Sequence, residues 1–291
     1  MAVTATSQAG ARPVPPVRAG RRLRVPAWLG TTPFLAYVGI FLLLPTGIVV
    51  VDAFRNPSGG LNLASLKLLF SSTVRSYFIG SFELCLISSA AGAVFGAILA
   101  YAIASGNPNG AMRQLYIAAS GVLAQFGGVT LAFAFLVTIG PVGLLLHASW
   151  FYTFPWGISA IYAYFQIPLM VLVFLPAMDG LKVQWREASE SLGCSAWQYW
   201  RYIGGPLLAP AFFGAALLLF ANALSAFATI VAWENQIAYI VPQQIYLAIN
   251  SEVGLSNLNE ADVLALGMII MVAIVMTGYA LLQRRAARWL R

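Results

Sequence analysis

Six long apolar blocks dominate this chain and restrict it to very few folds. Each block holds about twenty residues with few charges, the length at which a helix crosses the hydrocarbon core of a bilayer. A helix is the expected form, because it satisfies its own backbone N–H and C=O groups where no water is present. The sequence therefore predicts an all-α membrane protein, a bundle of six transmembrane helices at residues 28–51, 80–104, 115–139, 156–178, 207–231 and 263–282.

The overall composition agrees with this class. Of the 291 residues, 60% are hydrophobic and only 9% are charged, whereas soluble domains carry about 25% charged residues. The net charge of +7 would suggest nucleic acid for a soluble protein. In a membrane protein, basic residues flank the spans and contact lipid headgroups. No interleaving of aromatic and basic residues suggests a nucleic-acid groove, so lipid is the expected partner.

The distribution of lysine and arginine predicts the orientation. If the N-terminus lies inside, thirteen of the 16 basic residues fall on the inner side, and only Arg55, Lys67 and Arg75 fall outside. Cytoplasmic loops carry such an excess, so we expect both termini in the cytoplasm. Residues 1–27, rich in Pro, Gly and Arg, then form a disordered basic cytoplasmic tail before a transmembrane domain at 28–291.

The inner loop between the fourth and fifth predicted spans, about 179–206, carries its own helix signals. Trp185, Ala188 and Leu192 recur at i, i+3 and i+7, so they share one face of a short helix. Gly193 follows and can adopt the left-handed conformation that ends a helix. The loop therefore begins with an amphipathic helix that stops at a glycine.

A second helix is predicted directly after this turn. Ser195 with Gln198 three residues later is a capping box. Trp197 and Ile203 continue an apolar stripe, and Pro206 lies near the start of the fifth span, where proline is tolerated. The segment reads as a helix-turn-helix elbow at the inner membrane face, shaped to fit a groove on a cytoplasmic partner.

The elbow resembles the EAA loop of permease subunits of binding-protein-dependent type I ABC importers. That pattern is Glu-Ala-Ala, three residues, Gly, nine residues, then Ile-x-Leu-Pro. This chain has the run Glu187-Ala188-Ser189, with Gly193, Ile203 and Pro206 at the expected distances. It departs at Ser189, where the second Ala is usual, and at Gly205, where Leu is usual, which could loosen the start of the fifth span.

The resemblance implies a fold, partners and residue roles. It implies the type I importer permease fold in a bacterial inner membrane, ATP-binding cassette ATPase subunits, a second permease that is a paralogue or another copy, and an extracytoplasmic solute-binding protein. It also implies a set of residues that couple the chain to the ATPase: Glu187, Ala188, Ser189, Leu192, Gly193, Trp197, Ile203 and Pro206.

The chain lacks the residues of an enzyme. A P-loop needs Gly-Lys followed by Ser or Thr, but the only lysines, Lys67 and Lys182, do not follow a glycine. ATP and Mg²⁺ are therefore expected on a separate subunit. The single histidine, His147, excludes a multi-histidine metal or haem site. We expect no catalytic residue, no metal and no cofactor bound by this chain.

Polar residues inside the predicted spans are candidates for a solute path, because they are costly in lipid and usually face the bundle interior. Glu83 is either a solute contact or an interfacial acid, for instance paired with Arg75. The other candidates either line the path or form hydrogen bonds and close packing between helices: Gln125 beside Gly127 and Gly128, Gln166, and Asn222, Ser225 and Thr229 on one face of the fifth span.

The solute class is indicated only by the wording of the motif. Ser191-Leu192-Gly193 resembles the form found in polyamine, ferric iron, thiamine and phosphonate importers, whereas sugar importers more often have Ile-Asp-Gly. This favours a small polar or charged solute, with a sugar as the alternative. An ion-gradient-driven secondary transporter and a membrane anchor for a redox complex stay open as other classes.

Overall fold

The computed structural model describes residues 27–55, 60, 65–140, 143, 155–233, 240–250 and 256–288. The predicted tail up to residue 26 and His147 lie outside these ranges. The described residues fold into α-helices joined by short turns. The helices are α1 Ala27–Val38, α2 Leu44–Asp52, α3 Ser72–Ala104, α4 Ala111–Gln125, α5 Val129–Ile139, α6 Trp156–Asp179, α7 Val183–Ser191, α8 Ala196–Tyr199, α9 Gly205–Ser225, α10 Phe227–Ala232, α11 Val241–Asn250 and α12 Ser256–Arg288.

The predicted all-α membrane bundle is confirmed. Among the described residues, five helices are long and apolar enough to cross a membrane, and α4 with α5 makes a sixth span if that bent pair counts as one. The chain forms two compact units, residues 1–47 and 48–291. The first contains α1 and the start of α2, and the second contains every later helix. The orientation of the termini stays a prediction.

Two prolines widen the helices that contain them. A π-helical turn at Gly39–Leu43 precedes Pro45, and another at Trp200–Gly204 precedes Pro206. In each case the residue before the proline donates its N–H to the carbonyl five residues earlier. A proline ring clashes with the carbonyl four residues before it, so an extra residue in the turn relieves that contact.

The third predicted span is not one straight helix. α4 ends at Gln125 and α5 begins at Val129, and the two halves are bent by 95°. Gly127 and Gly128 fill the break, and Gly128 has φ of +72°. The prediction of a continuous helix over 115–139 was wrong because the glycine pair ends α4 instead of serving only as a packing site.

The fifth predicted span also has different limits. It begins earlier, because α8, the π-helical turn and α9 form one continuous helix, Ala196–Ser225. It stops earlier too, at Ala226, after which the short helix α10 begins. Asn222 and Ser225 are therefore on α9 and Thr229 is on α10, so the predicted shared face of one helix was wrong.

The second and sixth spans are longer than predicted. α3 begins at Ser72, since the Ser71 hydroxyl accepts a hydrogen bond from the Val74 N–H, 3.3 Å away, and caps the helix. α12 extends from Ser256 to Arg288. The predicted last outer loop contains α11, and the Val241 N–H at its start donates to the Ser81 hydroxyl at 2.9 Å.

The centre of the bundle is the contact between α3 and α6. A Cβ atom on Gly96 would lie 2.4 Å from the Met170 Cβ, and one on Gly92 would lie 2.6 Å from the Gln166 Cβ. Only glycine lets the two helices approach so closely, as small residues spaced four apart do in membranes. This contact joins the two main buried clusters, one at each end of the bundle.

Candidate functional site: the elbow and the two helix breaks

The elbow has the local structure that its sequence predicts. α7 ends at Ser191, and Gly193 turns the chain with φ of +78°, in the left-handed region. The Gln198 N–H donates to the Ser195 hydroxyl at 3.3 Å, and the Ser195 N–H donates to the Gln198 Oε1 at 2.7 Å. This reciprocal pair is the predicted capping box, which begins α8.

The inner side of the elbow is packed. Ser189 is buried, and its hydroxyl donates to the Arg186 carbonyl at 2.7 Å. That hydrogen bond lets serine occupy a buried position where the family pattern has alanine. The Tyr101 ring meets the Trp200 ring edge to face, with centroids 5.4 Å apart, and Tyr199 is buried beside it. These aromatic contacts attach the elbow to the end of α3.

The outer side of the elbow is exposed and partly apolar. Leu192 is 83% exposed, Trp197 71% and Val183 69%, and Ala188 is exposed between them. Exposed apolar residues among polar ones mark interaction surfaces. Glu187 is exposed as well, and its carboxylate forms no hydrogen bond or ion pair within the described part of the chain.

A local ion pair orders α7. The Arg186 Nε donates to the Glu190 carboxylate at 3.0 Å. The hydrogen bond to Glu190, and then its negative charge, raise the pKa of the Arg186 guanidinium above its ordinary value. Both groups are exposed, so the pair orients side chains and contributes little stability. It leaves Glu187 as the unpaired acid of α7.

The structure explains the departure at Gly205. In the π-helical turn, a Cβ atom on Gly205 would lie 2.5 Å from the Trp200 carbonyl oxygen. A leucine would not fit this turn without a shift of the backbone, so glycine tightens the fold here. Ile203 is exposed, and Pro206 follows the π-helical turn within the continuous helix Ala196–Ser225.

Two of the predicted pathway residues stand at the two helix breaks. Gln125 is the last residue of α4 and Ser225 is the last residue of α9, and both are exposed. The breaks themselves adjoin, since a Cβ atom on Gly128 would lie 3.6 Å from the Ala228 Cβ. Irregular backbone at membrane depth occurs where it is buried in protein or lines a cavity.

Other pathway candidates are buried within the chain. Gln166 is fully buried and donates to the Ser88 hydroxyl at 3.3 Å, while its Oε1 has no hydrogen-bond partner among the described residues. Thr229 is also buried, and its hydroxyl forms no hydrogen bond within the part of the chain that the structure describes. Asn222 is half-buried on α9. These positions suit contacts between helices better than contacts with a solute in this conformation.

Glu83 is exposed on α3. The ion pairs between described residues are Asp52–Arg55, Arg113–Asp179 and Arg186–Glu190, and none includes Glu83 or Arg75. The alternative that these two residues pair is therefore not realised here. No group of three or more His, Cys, Asp or Glu residues in the described ranges could hold a metal ion.

Sequence reasoning missed three contacts that position these parts. The Tyr162 hydroxyl donates to the Ala226 carbonyl at the second break. Arg113 pairs with Asp179 at the base of the elbow. Gly92 and Gly96 set the α3–α6 contact. Only the glycines had a readable signal, the spacing of four within an apolar helix.

Comparison with known proteins decides the family. The family described as "binding-protein-dependent transport system inner membrane component" matches residues 125–291, more than half of the chain. The chain belongs to this family. It is a permease subunit of a binding-protein-dependent type I ABC importer, as the EAA resemblance implied. The ion-gradient transporter and the redox anchor are thereby set aside.

Relatives and solved structures agree with this membership. The chain is 27% identical over 237 residues to the sulfate transport system permease protein CysT of Escherichia coli strain K12, covering 73% of this chain and 78% of that protein. It is 24% identical over 168 residues to the molybdenum transport system permease protein ModB of the same strain, covering 55% and 73%.

The fold matches solved importers. A bacterial ABC transporter involved in the import of the acidic polysaccharide alginate has a chain with a TM-score of 0.69, 17% identity, and coverage of 89% of this chain and 94% of that one. The MetNI methionine ABC transporter in an inward-facing conformation has a chain with a TM-score of 0.55 and 15% identity. The match covers 73% of this chain and 95% of that one. At these identities the likeness concerns the fold alone.

Proposed function

We propose that this chain moves a small charged solute across a bacterial inner membrane, driven by ATP hydrolysis on separate subunits that dock at the elbow. The supporting observation is the outer side of the elbow, where unpaired Glu187 stands among exposed Ala188, Leu192 and Trp197. A short helix with an apolar face and one free charge suits a groove on a partner protein.

The proposed orientation places the elbow and both termini in the cytoplasm, on the basis of the lysine and arginine distribution. The ATPase subunits would bind ATP and Mg²⁺, since this sequence has no Gly-Lys-Ser/Thr motif. The proposed cytoplasmic side is testable. A cysteine at Trp197, which is exposed, should react with a membrane-impermeant thiol reagent only from the inside, and reaction from the outside would refute the orientation.

The remaining partners follow from how such importers are assembled. Six spans supply one half of a pathway, so a second permease, either a paralogue or another copy of this chain, is proposed to complete it. An extracytoplasmic binding protein is proposed to deliver the solute. In support, one solved relative is a bacterial alginate ABC transporter in complex with an alginate pentasaccharide-bound periplasmic protein.

For the solute, we propose an oxyanion as the first class to test. The two relatives above are named for sulfate and for molybdenum, and phosphonate, one of the classes suggested by the motif, shares that chemistry. Gln125, exposed at the first break, offers an amide that can donate hydrogen bonds to an anion. Glu83 would instead suit a cation such as a polyamine, thiamine or ferric iron.

Solute screening decides between these classes. The binding protein that co-purifies with the complex would be tested by calorimetry with sulfate, molybdate, a phosphonate, a polyamine, thiamine, ferric iron and a sugar. Binding of an oxyanion supports the proposal. Binding of a cation would indicate Glu83 as the residue that contacts the solute. Binding of a sugar would favour the alternative of a sugar importer.

The coupling role is tested by Glu187→Lys in the assembled complex, with uptake and ATP hydrolysis measured in proteoliposomes. Charge reversal at a docked contact should reduce uptake by at least about 10-fold, while the bundle stays folded because Glu187 is exposed. Glu190→Gln is the matched control on the same helix, since its carboxylate pairs with Arg186. Unchanged uptake in Glu187→Lys would refute the coupling role.

A further inference from the structure

A long-range ion pair ties the base of the elbow to the broken third span. The Arg113 guanidinium, in the first turn of α4, donates to the carboxylate of Asp179, the last residue of α6. These residues are 66 positions apart in the chain. The other two ion pairs between described residues are local, at i,i+3 just past the end of α2 and at i,i+4 on α7.

Both charges stand at unfavourable helix ends. The N-terminus of a helix is the positive end of its dipole, where a cation is disfavoured, and the C-terminus disfavours an anion. Arg113 is the third residue of α4 and Asp179 is the last residue of α6. Neither charge stabilises the helix that carries it. Each charge is compensated by the other, so the pair stabilises the contact between the two helices.

The Arg113 side chain is only 13% exposed, against 42% for Asp179. A mostly buried guanidinium that loses its partner is left as an unpaired charge away from water. The pair is therefore not an ordinary exposed surface ion pair. Ile117 on α4 and Leu181 at the root of the elbow pack against one buried cluster, which supports the same contact.

This contact gives the elbow a second connection to the membrane. The first is covalent, since α8 continues into α9 and ends at Ser225 before the second break. The second runs from Asp179 through Arg113 into α4, which ends at Gln125 before the first break. The two connections converge, because the breaks adjoin at Gly128 and Ala228.

We infer that Arg113 and Asp179 are positioning residues for coupling, which transmit the displacement of the elbow to α4 and so to the break in the third span. This inference rests on the proposed function, because it assigns a route to the motion that the ATPase imposes. Without the pair, the elbow would move α9 while α4 stays behind.

The experiment uses the complex of the full chain with its ATPase subunits and one reporter cysteine on each connection. Gln125→Cys reports on α4 and Ser225→Cys reports on α9, and both positions are exposed. Cys194, half-buried in the elbow, is replaced by serine, whereas Cys85 is buried. The rate of thiol labelling is compared between the nucleotide-free complex and the complex trapped with ATP and vanadate.

In the otherwise unchanged chain, trapping should change the labelling rate at both reporters by roughly 2- to 30-fold, the range over which coupling contacts act. Arg113→Gln and Asp179→Asn should remove the response at residue 125 and leave it at residue 225. The exchange Arg113→Asp with Asp179→Arg should restore it, because each charge then stands at its favoured helix end. Arg55→Gln, which breaks a local pair, is the matched control and should change neither response.

Each outcome decides. A normal response at residue 125 without Arg113 overturns the inference, and so does a response lost at both reporters or one that the exchange fails to restore. If the single variants do not assemble, the exchanged pair alone decides, since it must assemble and respond as the unchanged chain does. If neither reporter responds in the unchanged chain, the proposed function fails first and the inference fails with it.

Discussion

The contact between α3 and α6 yields a prediction whose size follows from the coordinates. In Gly96→Ala, the new Cβ would lie 2.4 Å from the Met170 Cβ and 2.7 Å from the Ile167 carbonyl oxygen. Carbon atoms in contact are normally about 3.5–4.0 Å apart. A backbone carbonyl cannot rotate away as a side chain can, so α3 must shift away from α6.

We expect the steric cost to lie at the upper end of overpacking, about 3 kcal/mol. Alanine in a helix recovers about 1 kcal/mol relative to glycine, so the net loss of stability is about 2 kcal/mol. Gly121→Ala on α4 is the matched control, because nothing lies within 4 Å of a Cβ built there. Gly121→Ala should gain only the roughly 1 kcal/mol by which alanine favours a helix over glycine, so the stabilities of the two variants should differ by about 3 kcal/mol.

Thiol labelling of Cys85 measures this difference. Cys85 is a free, buried cysteine on α3, so it reacts only when the bundle opens. Its labelling would be followed during titration of detergent-solubilised protein with sodium dodecyl sulfate, with Cys194 replaced by serine. If Gly96→Ala opens at the same denaturant fraction as Gly121→Ala, the close approach of α3 and α6 is wrong.

Two further predictions concern buried hydroxyl groups. In Tyr162→Phe, loss of the hydrogen bond to the Ala226 carbonyl should reduce stability by about 1 kcal/mol in the same titration, and an unchanged midpoint would show that this contact does not hold the second break. Ser189→Ala should change stability by less than about 0.5 kcal/mol, because the hydroxyl donates to the Arg186 carbonyl of its own helix. Ser189→Leu should prevent assembly with the ATPase, since residue 189 is buried against the bundle. Equal effects of the two substitutions would contradict that burial.

The elbow could be predicted from the sequence because its signals are local. The left-handed Gly193 and the Ser195–Gln198 capping box each depend on residues within one or two turns, and both are present as expected. The number of spans was predictable for a similar reason. Length and apolarity suffice to mark a span, whatever lies beside it.

The helix breaks could not be predicted equally well. The glycine pair at 127–128 is a breaker signal that also suits close packing, and the sequence-based prediction used it only as a packing site within one continuous span. The break at Ala226 has no glycine or proline. It is stabilised from outside the helix, by Tyr162, which is 64 residues away. The Arg113–Asp179 pair likewise joins distant residues, and only the packing of α4 on α6 brings it together.

The unbroken helix Ala196–Ser225 also fixes a distance. Its 30 residues extend over about 45 Å at 1.5 Å per residue, whereas the hydrocarbon layer is about 30 Å thick. At the tilts of up to about 40° that transmembrane helices adopt, a helix of this length does not fit within that layer, so part of it reaches the depth of the lipid headgroups.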